Sequence, residues 1–279
     1  MIALVTGTST GIGLATALDL ARAGHTVFAT MRNPARAPQL AEQAAAEKLP
    51  VTVLPMDVDS DASVAACFAG LPPIDILVNN AGIERHGSVE ELPLSDIRAI
   101  METNYFGAIR CIQQVVKYMR ERRSGCIINV TSVAGKISCS PLGAYAASKF
   151  ALEAITESLA QELKAFGVRV ALVEPGIIDT PMAHAIAIPP QSPYPHARQL
   201  AAMFKAVLQQ PTPPAAVAEV IRHIIDNPSD QLRYPAGPAA PFLAWRASKT
   251  DEEWISFNSL DDAGYREAVR QDFGLTLDL

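Results

Sequence analysis

The 279-residue chain predicts an α/β fold, with one domain built on a doubly wound parallel sheet of about seven strands and helices on both faces. Three observations carry that prediction. Short apolar runs such as Ile2 to Val5 and Cys126 to Val130 have the length and composition of strands buried on both faces. Longer stretches with apolar residues at helical spacing lie between them. The first run breaks at Thr6-Gly7-Thr8-Ser9-Thr10-Gly11-Ile12-Gly13, and a helical pattern starts directly after it.

Composition narrows the function classes. A hydrophobic fraction of 49% with 19% charged residues suits a soluble globular chain and argues against disordered or fibrous classes. With a formal net charge of -6 and no Lys/Arg cluster, there is no electrostatic footprint for nucleic acid. Cys67, Cys111, Cys126 and Cys139 show no CxxC or other metal-type spacing and no disulfide framework, so reduced thiols and a cytoplasmic location are expected. Met1 passes straight into IALVTG, and no apolar run approaches the ~20 residues of a membrane span. No membrane partner and no targeting segment are therefore expected. None of the five histidines pairs at ligand spacing, so no metal site is expected either.

In chain order, the first helix carries Leu14, Leu18 and Ala21 and stops at Gly24, after which Thr26 to Thr30 reads as the second strand. Strand, glycine turn, helix, strand is the Rossmann-type nucleotide-binding unit. Its glycines let the backbone approach a pyrophosphate, and its helix N-terminus offers free N–H groups. A helix is expected within Pro34 to Lys48, then a strand at Val51 to Leu54, a helix over 60–70 capped by Ser60 or Asp61, and a buried strand at Ile74 to Val78. The turn Asn79-Asn80-Ala81-Gly82 follows at a C-terminal strand end, where parallel sheets bind ligands. Pro93 to Arg123 reads as one long helix with Asn104, a poor helix former, in its middle. Cys126 to Val130 delivers Ser132, and Leu142 to Phe166 is the next long helix.

Tyr145 and Lys149, four residues apart, leave one face of that helix. A neighbouring ammonium stabilises phenolate, so Lys149 is expected to lower the Tyr145 pKa toward the working range, with the Ser132 hydroxyl placed to hold a substrate oxygen. Taken alone, the pair also suits ordinary surface packing. Val168 to Val173 is the sixth strand, ending at Glu174-Pro175-Gly176-Ile177-Ile178-Asp179-Thr180. Ile186 to Pro195 holds four prolines and is not expected to be regular; 181–230 is read as a substrate lid with helices at His196 to Gln209 and Pro213 to Asp226. Met182, Ile186, Ile188, Tyr194, Met203 and Phe204 there suit an apolar substrate or packing against the body. His184 and His196 also fall in this segment, as solvated residues or substrate contacts. A last strand is expected near Gln231 to Tyr234. The extension 236–279, with Trp245, Trp254 and Phe257, covers either the pocket or a subunit interface.

The spacing TGxxxGxG resembles the short-chain dehydrogenase/reductase family. Matches follow in register: Asp57, Asn79 to Gly82, Asn104, Ser132, Tyr145-Ala146-Ala147-Ser148-Lys149 and Pro175-Gly176, a likeness covering roughly residues 2 to 182. The resemblance implies reversible hydride transfer between a nicotinamide and a carbonyl or carbinol carbon. In it, Ser132 orients the substrate oxygen, Tyr145 gives or takes its proton, Lys149 holds the nicotinamide ribose, and Asn104 perturbs its helix locally and positions a relay water. It assigns Gly7, Ser9, Thr10, Gly11, Ile12 and Gly13 to the cofactor turn, and Asp57 with the Val58 backbone to the adenine. Asn80, Ala81 and Gly82 go to the ribose side, and Pro175, Gly176, Ile178 and Thr180 to the nicotinamide. Asp57 could alternatively cap a turn.

Cofactor choice turns on the end of the second strand, Phe28-Ala29-Thr30-Met31-Arg32-Asn33. No acid stands there to accept from ribose hydroxyls, and Arg32 is suited to a 2′-phosphate, with Thr10 and Asn33 as auxiliary donors. NADP(H) is therefore favoured, with NAD(H) possible if Arg32 is merely solvated. The resemblance also implies a homodimer or homotetramer. FATMRN and YAASKFALE look most like hydroxysteroid and retinol dehydrogenases, which implies a bulky apolar secondary alcohol or ketone. A catalytically silent NADP(H)-binding redox regulator is the alternative, though it would have no need of an intact Ser132, Tyr145 and Lys149.

Overall fold

A computed structural model of the chain describes residues 1–186 and 192–279. Its elements run β1 (Ile2–Thr6), α1 (Gly11–Arg22), β2 (Thr26–Met31), α2 (Gln39–Ala46), β3 (Val51–Pro55), α3 (Asp61–Ala69) and β4 (Ile76–Asn79). Then follow α4 (Leu94–Met101), α5 (Gly107–Arg122), β5 (Gly125–Val130), α6 (Gly143–Lys164), β6 (Val168–Pro175), α7 (Pro181–His184), α8 (His196–Val207) and α9 (Ala215–Asp226). The chain closes with β7 (Arg233–Ala236), α10 (Ala239–Ala247), α11 (Asp251–Asn258) and α12 (Asp262–Phe273). The strands form one sheet of order β3-β2-β1-β4-β5-β6-β7, parallel at every pairing.

Period-two alternation splits the apolar strand residues between two cores. Ala3, Val5, Ile76, Val78 and Ile128 point to one face, where Leu18 and Leu20 of α1 and Val217, Ile221 and Ile224 of α9 cover them. Leu4, Leu77 and Ile127 point to the other, against Val64 of α3, Ile112 and Val115 of α5, and Leu159 and Leu163 of α6. This double cover is why the strands read as continuous apolar runs. A third, smaller cluster joins α8 to α12 through Ala202, Ala206, Tyr265 and Val269.

Strand order reverses between β1 and β4, so the crevice of the sheet opens at their C-terminal ends. Polar groups zip that point shut from below. Thr6 Oγ1 accepts from the backbone N–H of Asn80 at 3.0 Å and of Ala81 at 2.9 Å, while Asn80 Nδ2 donates to the carbonyls of Thr6 at 2.9 Å and Gly7 at 3.1 Å.

Several expected boundaries move. The local perturbation that the resemblance implies at Asn104 is present: the helical stretch from Pro93 to Arg123 contains a π-helical turn at Glu102–Phe106, where Asn104 turns inward to bind protein backbone. The helix expected within Pro34 to Lys48 is α2, with a 3₁₀ turn at Pro34–Arg36 before it. The fourth strand begins and ends later than expected, so that Asn79 is in the sheet, and the seventh likewise runs to Ala236. Part of the proline-rich segment, with Ile188, Pro189 and Pro190, lies outside the described residues. Among the described residues no helix is long and apolar enough to cross a membrane, and no acidic, His and Cys cluster could hold a metal.

Candidate active site

One continuous cleft of about 1050 Å³ runs along the C-terminal edge of the sheet. Of the residues singled out from the sequence, Gly7, Ser9, Thr10, Gly11, Ile12, Arg32, Asp57, Val58, Asn80, Ala81 and Gly82 line one end. Ser132, Tyr145, Lys149, Pro175, Gly176, Ile178 and Thr180 line its middle. Gly13 and Asn104 are not in the lining and act on it from behind.

The glycine turn is shaped by close backbone approach. A Cβ on Gly13 would lie 2.3 Å from the Gly7 carbonyl oxygen, and one on Gly7, where φ is +69°, would lie 2.7 Å from Ala81 Cα. Thr10 precedes α1 in extended conformation without a side-chain cap, which leaves the first-turn N–H groups of a helix of 12 residues facing the cleft. Such a cradle suits a pyrophosphate. Asp57 both lines the cleft and caps a turn, its Oδ1 accepting from Asp59 N at 3.2 Å. The Val58 carbonyl is occupied by Arg110 Nη1 at 3.1 Å.

At the centre, β5 runs into Ser132, whose Oγ accepts from Ala134 N at 3.1 Å and so starts the 3₁₀ turn Val133–Gly135. Tyr145 and Lys149 stand one turn apart near the start of α6. Lys149 is only 5% exposed, donates from Nζ to the Val130 carbonyl at 3.1 Å, and lies 5.7 Å from the centre of the Tyr145 ring. Asn104 Oδ1 accepts from Ile83 N at 2.8 Å, while its Nδ2 donates to the Ile83 carbonyl and to Ser148 Oγ, each at 2.9 Å. Ser148 Oγ in turn donates to the Tyr145 carbonyl at 2.7 Å, so Asn104 braces both walls of the site.

The electrostatics depart from expectation. Burial pulls the Lys149 ammonium down from 10.5 to about 8, against Glu84 and Glu153, which favour its charge. Burial, reinforced by the Glu84 charge, pushes the Tyr145 phenol up; hydrogen bonding by Ser132 opposes it. The expected lowering of the phenol by Lys149 is not seen: burial and the Glu84 charge set the direction, and only Ser132 opposes them. Glu84, which sequence reasoning passed over, lines the cleft beside these groups. Its only signal in the sequence was an acid two residues beyond the Asn79-Asn80-Ala81-Gly82 turn.

Beyond Tyr145 the cleft becomes apolar, with Ile137, Leu142, Met182, Met203 and Phe204 around it. The C-terminal extension forms its far side. Trp245 meets Phe257 edge-on at 5.1 Å and Phe273 at 4.7 Å between ring centres, and Trp254 stacks on Phe257. Trp254 Nε1 donates to the Ser138 carbonyl at 3.0 Å, tying α11 to the loop after Ser132. Tail residues Phe242, Trp245, Trp254 and Phe257 line the pocket. His184 pairs with Asp179 at 2.7 Å and His196 Nε2 bonds the Asn258 carbonyl at 2.9 Å; neither lines the cleft, and Ile186 and Tyr194 do not line it either.

A family model described as short chain dehydrogenase matches residues 1–190. The chain belongs to the short-chain dehydrogenase family. Members bind NAD(P), and this chain is an oxidoreductase of the kind that acts on CH–OH groups. It is 35% identical over 249 residues to an uncharacterized oxidoreductase, YusZ, of Bacillus subtilis, spanning 85% of this chain and 89% of that one. Against human retinol dehydrogenase 8 it is 43% identical over 183 residues, covering 63% of this chain and 58% of the relative. A solved short-chain dehydrogenase from Streptomyces avermitilis superposes with a TM-score of 0.77 at 32% identity, over 93% of this chain and 99% of that one.

Proposed function

We propose that this short-chain dehydrogenase is NADP(H)-dependent and interconverts a bulky apolar ketone and its secondary alcohol. One observation carries the reading: Ser132, Tyr145 and Lys149 line the cleft where the glycine cradle of α1 meets an aromatic pocket. The bound nicotinamide cofactor supplies or accepts the hydride. Ser132 orients and polarises the substrate oxygen, and Tyr145 exchanges a proton with it. Burial favours the protonated phenol, the state needed to donate to a carbonyl. Lys149 holds the cofactor ribose, and Asn104 fixes the site and positions the relay water.

Gly7, Ser9, Thr10, Gly11, Ile12 and Gly13 would hold the pyrophosphate, with Asp57 and Val58 at the adenine and Asn80, Ala81 and Gly82 at the ribose. Pro175, Gly176, Ile178 and Thr180 would hold the carboxamide. Arg32, exposed at the end of β2 and lining the cleft, supports the NADP(H) preference through a 2′-phosphate contact. The apolar lining and the likeness to a retinol dehydrogenase support the substrate class. Residues 181–230 serve as lid and 236–279 as its counterpart. Exposed Phe106, Tyr118 and Phe150 on neighbouring helical segments support a homodimer or homotetramer, and four free thiols suit a cytoplasmic setting.

The test is turnover of a ketone panel with NADPH by wild type and Tyr145→Phe. Turnover by the wild type with a loss of about a hundredfold or more in the variant is expected. No wild-type turnover on any ketone would favour a silent regulator.

A further inference from the structure

The Asn79 to Gly82 turn leads into Ile83, and Asn104 holds both backbone groups of that residue, so the next side chain, Glu84, is delivered to a fixed place in the cleft. There it lines the same cleft as Tyr145, Lys149 and Cys139, and its charge acts on all three. His86 Nε2 meets Glu84 Oε1 at 2.8 Å, and both side chains are 8% exposed. That contact orients the carboxylate and leaves Oε2 as a second acceptor. Lys149 does not consume it: its Nζ donates to the Val130 carbonyl, and among the described residues it forms no ion pair with Glu84.

A carboxylate 8% exposed, with His86 on Oε1, becomes costly to leave with an unfilled acceptor once an apolar substrate displaces water from the cleft. A donor group on the substrate would remove that cost, and an analogue without it would be rejected because the carboxylate stays unpaired.

We propose that Glu84, oriented by His86, is a specificity-determining residue that accepts a hydrogen bond from a hydroxyl or ammonium group within a carbon or two of the reacting centre. The preferred substrates are then long apolar diols, hydroxy ketones, amino alcohols or amino ketones, and a neighbouring carboxylate is repelled. This rests on the cleft being a carbonyl and carbinol site, as proposed above.

Binding is read separately from turnover, because both tryptophans of the chain, Trp245 and Trp254, line the cleft and report a ligand by fluorescence. In the presence of NADP⁺, wild type, Glu84→Gln, Glu84→Ala and His86→Ala are titrated with a secondary decanol, the same alcohol carrying a neighbouring hydroxyl, amine or carboxylate, and each is assayed for NADPH formation. Wild type should bind the hydroxyl or amine compound about tenfold or more tighter than the plain alcohol. Glu84→Ala should erase that ratio and His86→Ala should reduce it. Glu84→Gln should abolish a preference for the amine but retain part of one for the hydroxyl, which tells the two donors apart. The carboxylate compound should bind wild type weakest and gain about tenfold in Glu84→Gln, an improvement a merely damaged pocket does not give. Equal binding of plain and donor-bearing alcohols by wild type, or an unchanged ratio in Glu84→Ala, overturns the proposal. The expected ratios without NADPH formation from any ligand would leave recognition standing and overturn the reaction instead.

Discussion

Asn104 grips Ile83 by both of its backbone groups, accepting from the N–H at 2.8 Å and donating to the carbonyl at 2.9 Å, from within a π-helical turn. Single π-helical turns of this kind are rare and concentrate at functional sites. Asn104→Ala removes those two bonds and the one to Ser148, leaving the part-buried backbone groups of Ile83 unpaired. A loss of roughly 2–4 kcal/mol in unfolding free energy is expected, with a fall in kcat. Urea unfolding checks it, and a change below about 1 kcal/mol would contradict the bracing role.

Lys149 makes stability depend on pH in a definite direction. Unfolded, its ammonium titrates near 10.5; folded, burial lowers it to about 8. Below about 8 both states carry the proton and the folded chain bears the full desolvation cost. Between about 8 and 10.5 the unfolded state binds more proton, so this group's contribution to stability rises with pH. Lys149→Met removes the effect. The stability of the variant relative to wild type should be highest near pH 7 and decline by on the order of 3 kcal/mol toward pH 10.5. The lost bond to Val130 is missing at every pH and cancels from that difference. Paired denaturant titrations at the two pH values read it; a constant difference would contradict the assignment.

Arg32 lines the cleft, and the chain offers no acid at the end of β2. Arg32→Ala should weaken NADPH about tenfold to a hundredfold while changing NADH little, because a charge-assisted contact to a phosphate is lost. Affinities measured by cofactor fluorescence give the ratio, and an unchanged NADPH/NADH ratio would remove the phosphate assignment.

Trp245 packs against Phe257, Phe273 and Phe242 and lines the pocket. Trp245→Ala should cost about 3–5 kcal/mol in the helices that follow β7 and raise KM for bulky ketones more than for small ones. Hydrogen exchange across α10 to α12 together with KM values for a size series checks both parts. Equal KM changes for small and bulky ketones would place the tail outside the substrate pocket.

The sheet, both helical layers and the glycine cradle were legible because buried parallel strands and tight turns leave local signatures: Ile2 to Val5 can hardly be anything else, and Gly7 and Gly13 have no room for a side chain. Tyr145 and Lys149 were legible as a pair because helical spacing places them together. What stayed hidden is nonlocal. The partner that Asn104 takes, the backbone of Ile83, lies 21 residues away, and the place of Trp245 and Trp254 depends on how three C-terminal helices fold back. The rise in the Tyr145 phenol depends on burial and on Glu84, neither of which spacing along one helix can reveal.

Deuterium transfer tests the central claim most directly. NADPH deuterated at C4 of the nicotinamide is incubated with the protein and a long-chain ketone, and the alcohol is analysed by mass spectrometry. Hydride transfer in the Ser132, Tyr145 and Lys149 cleft should place one deuterium on the carbinol carbon from one of the two C4-deuterated forms only, and Tyr145→Phe should suppress the product. Alcohol formed without deuterium from either form, or no alcohol from any ketone tried, would contradict it.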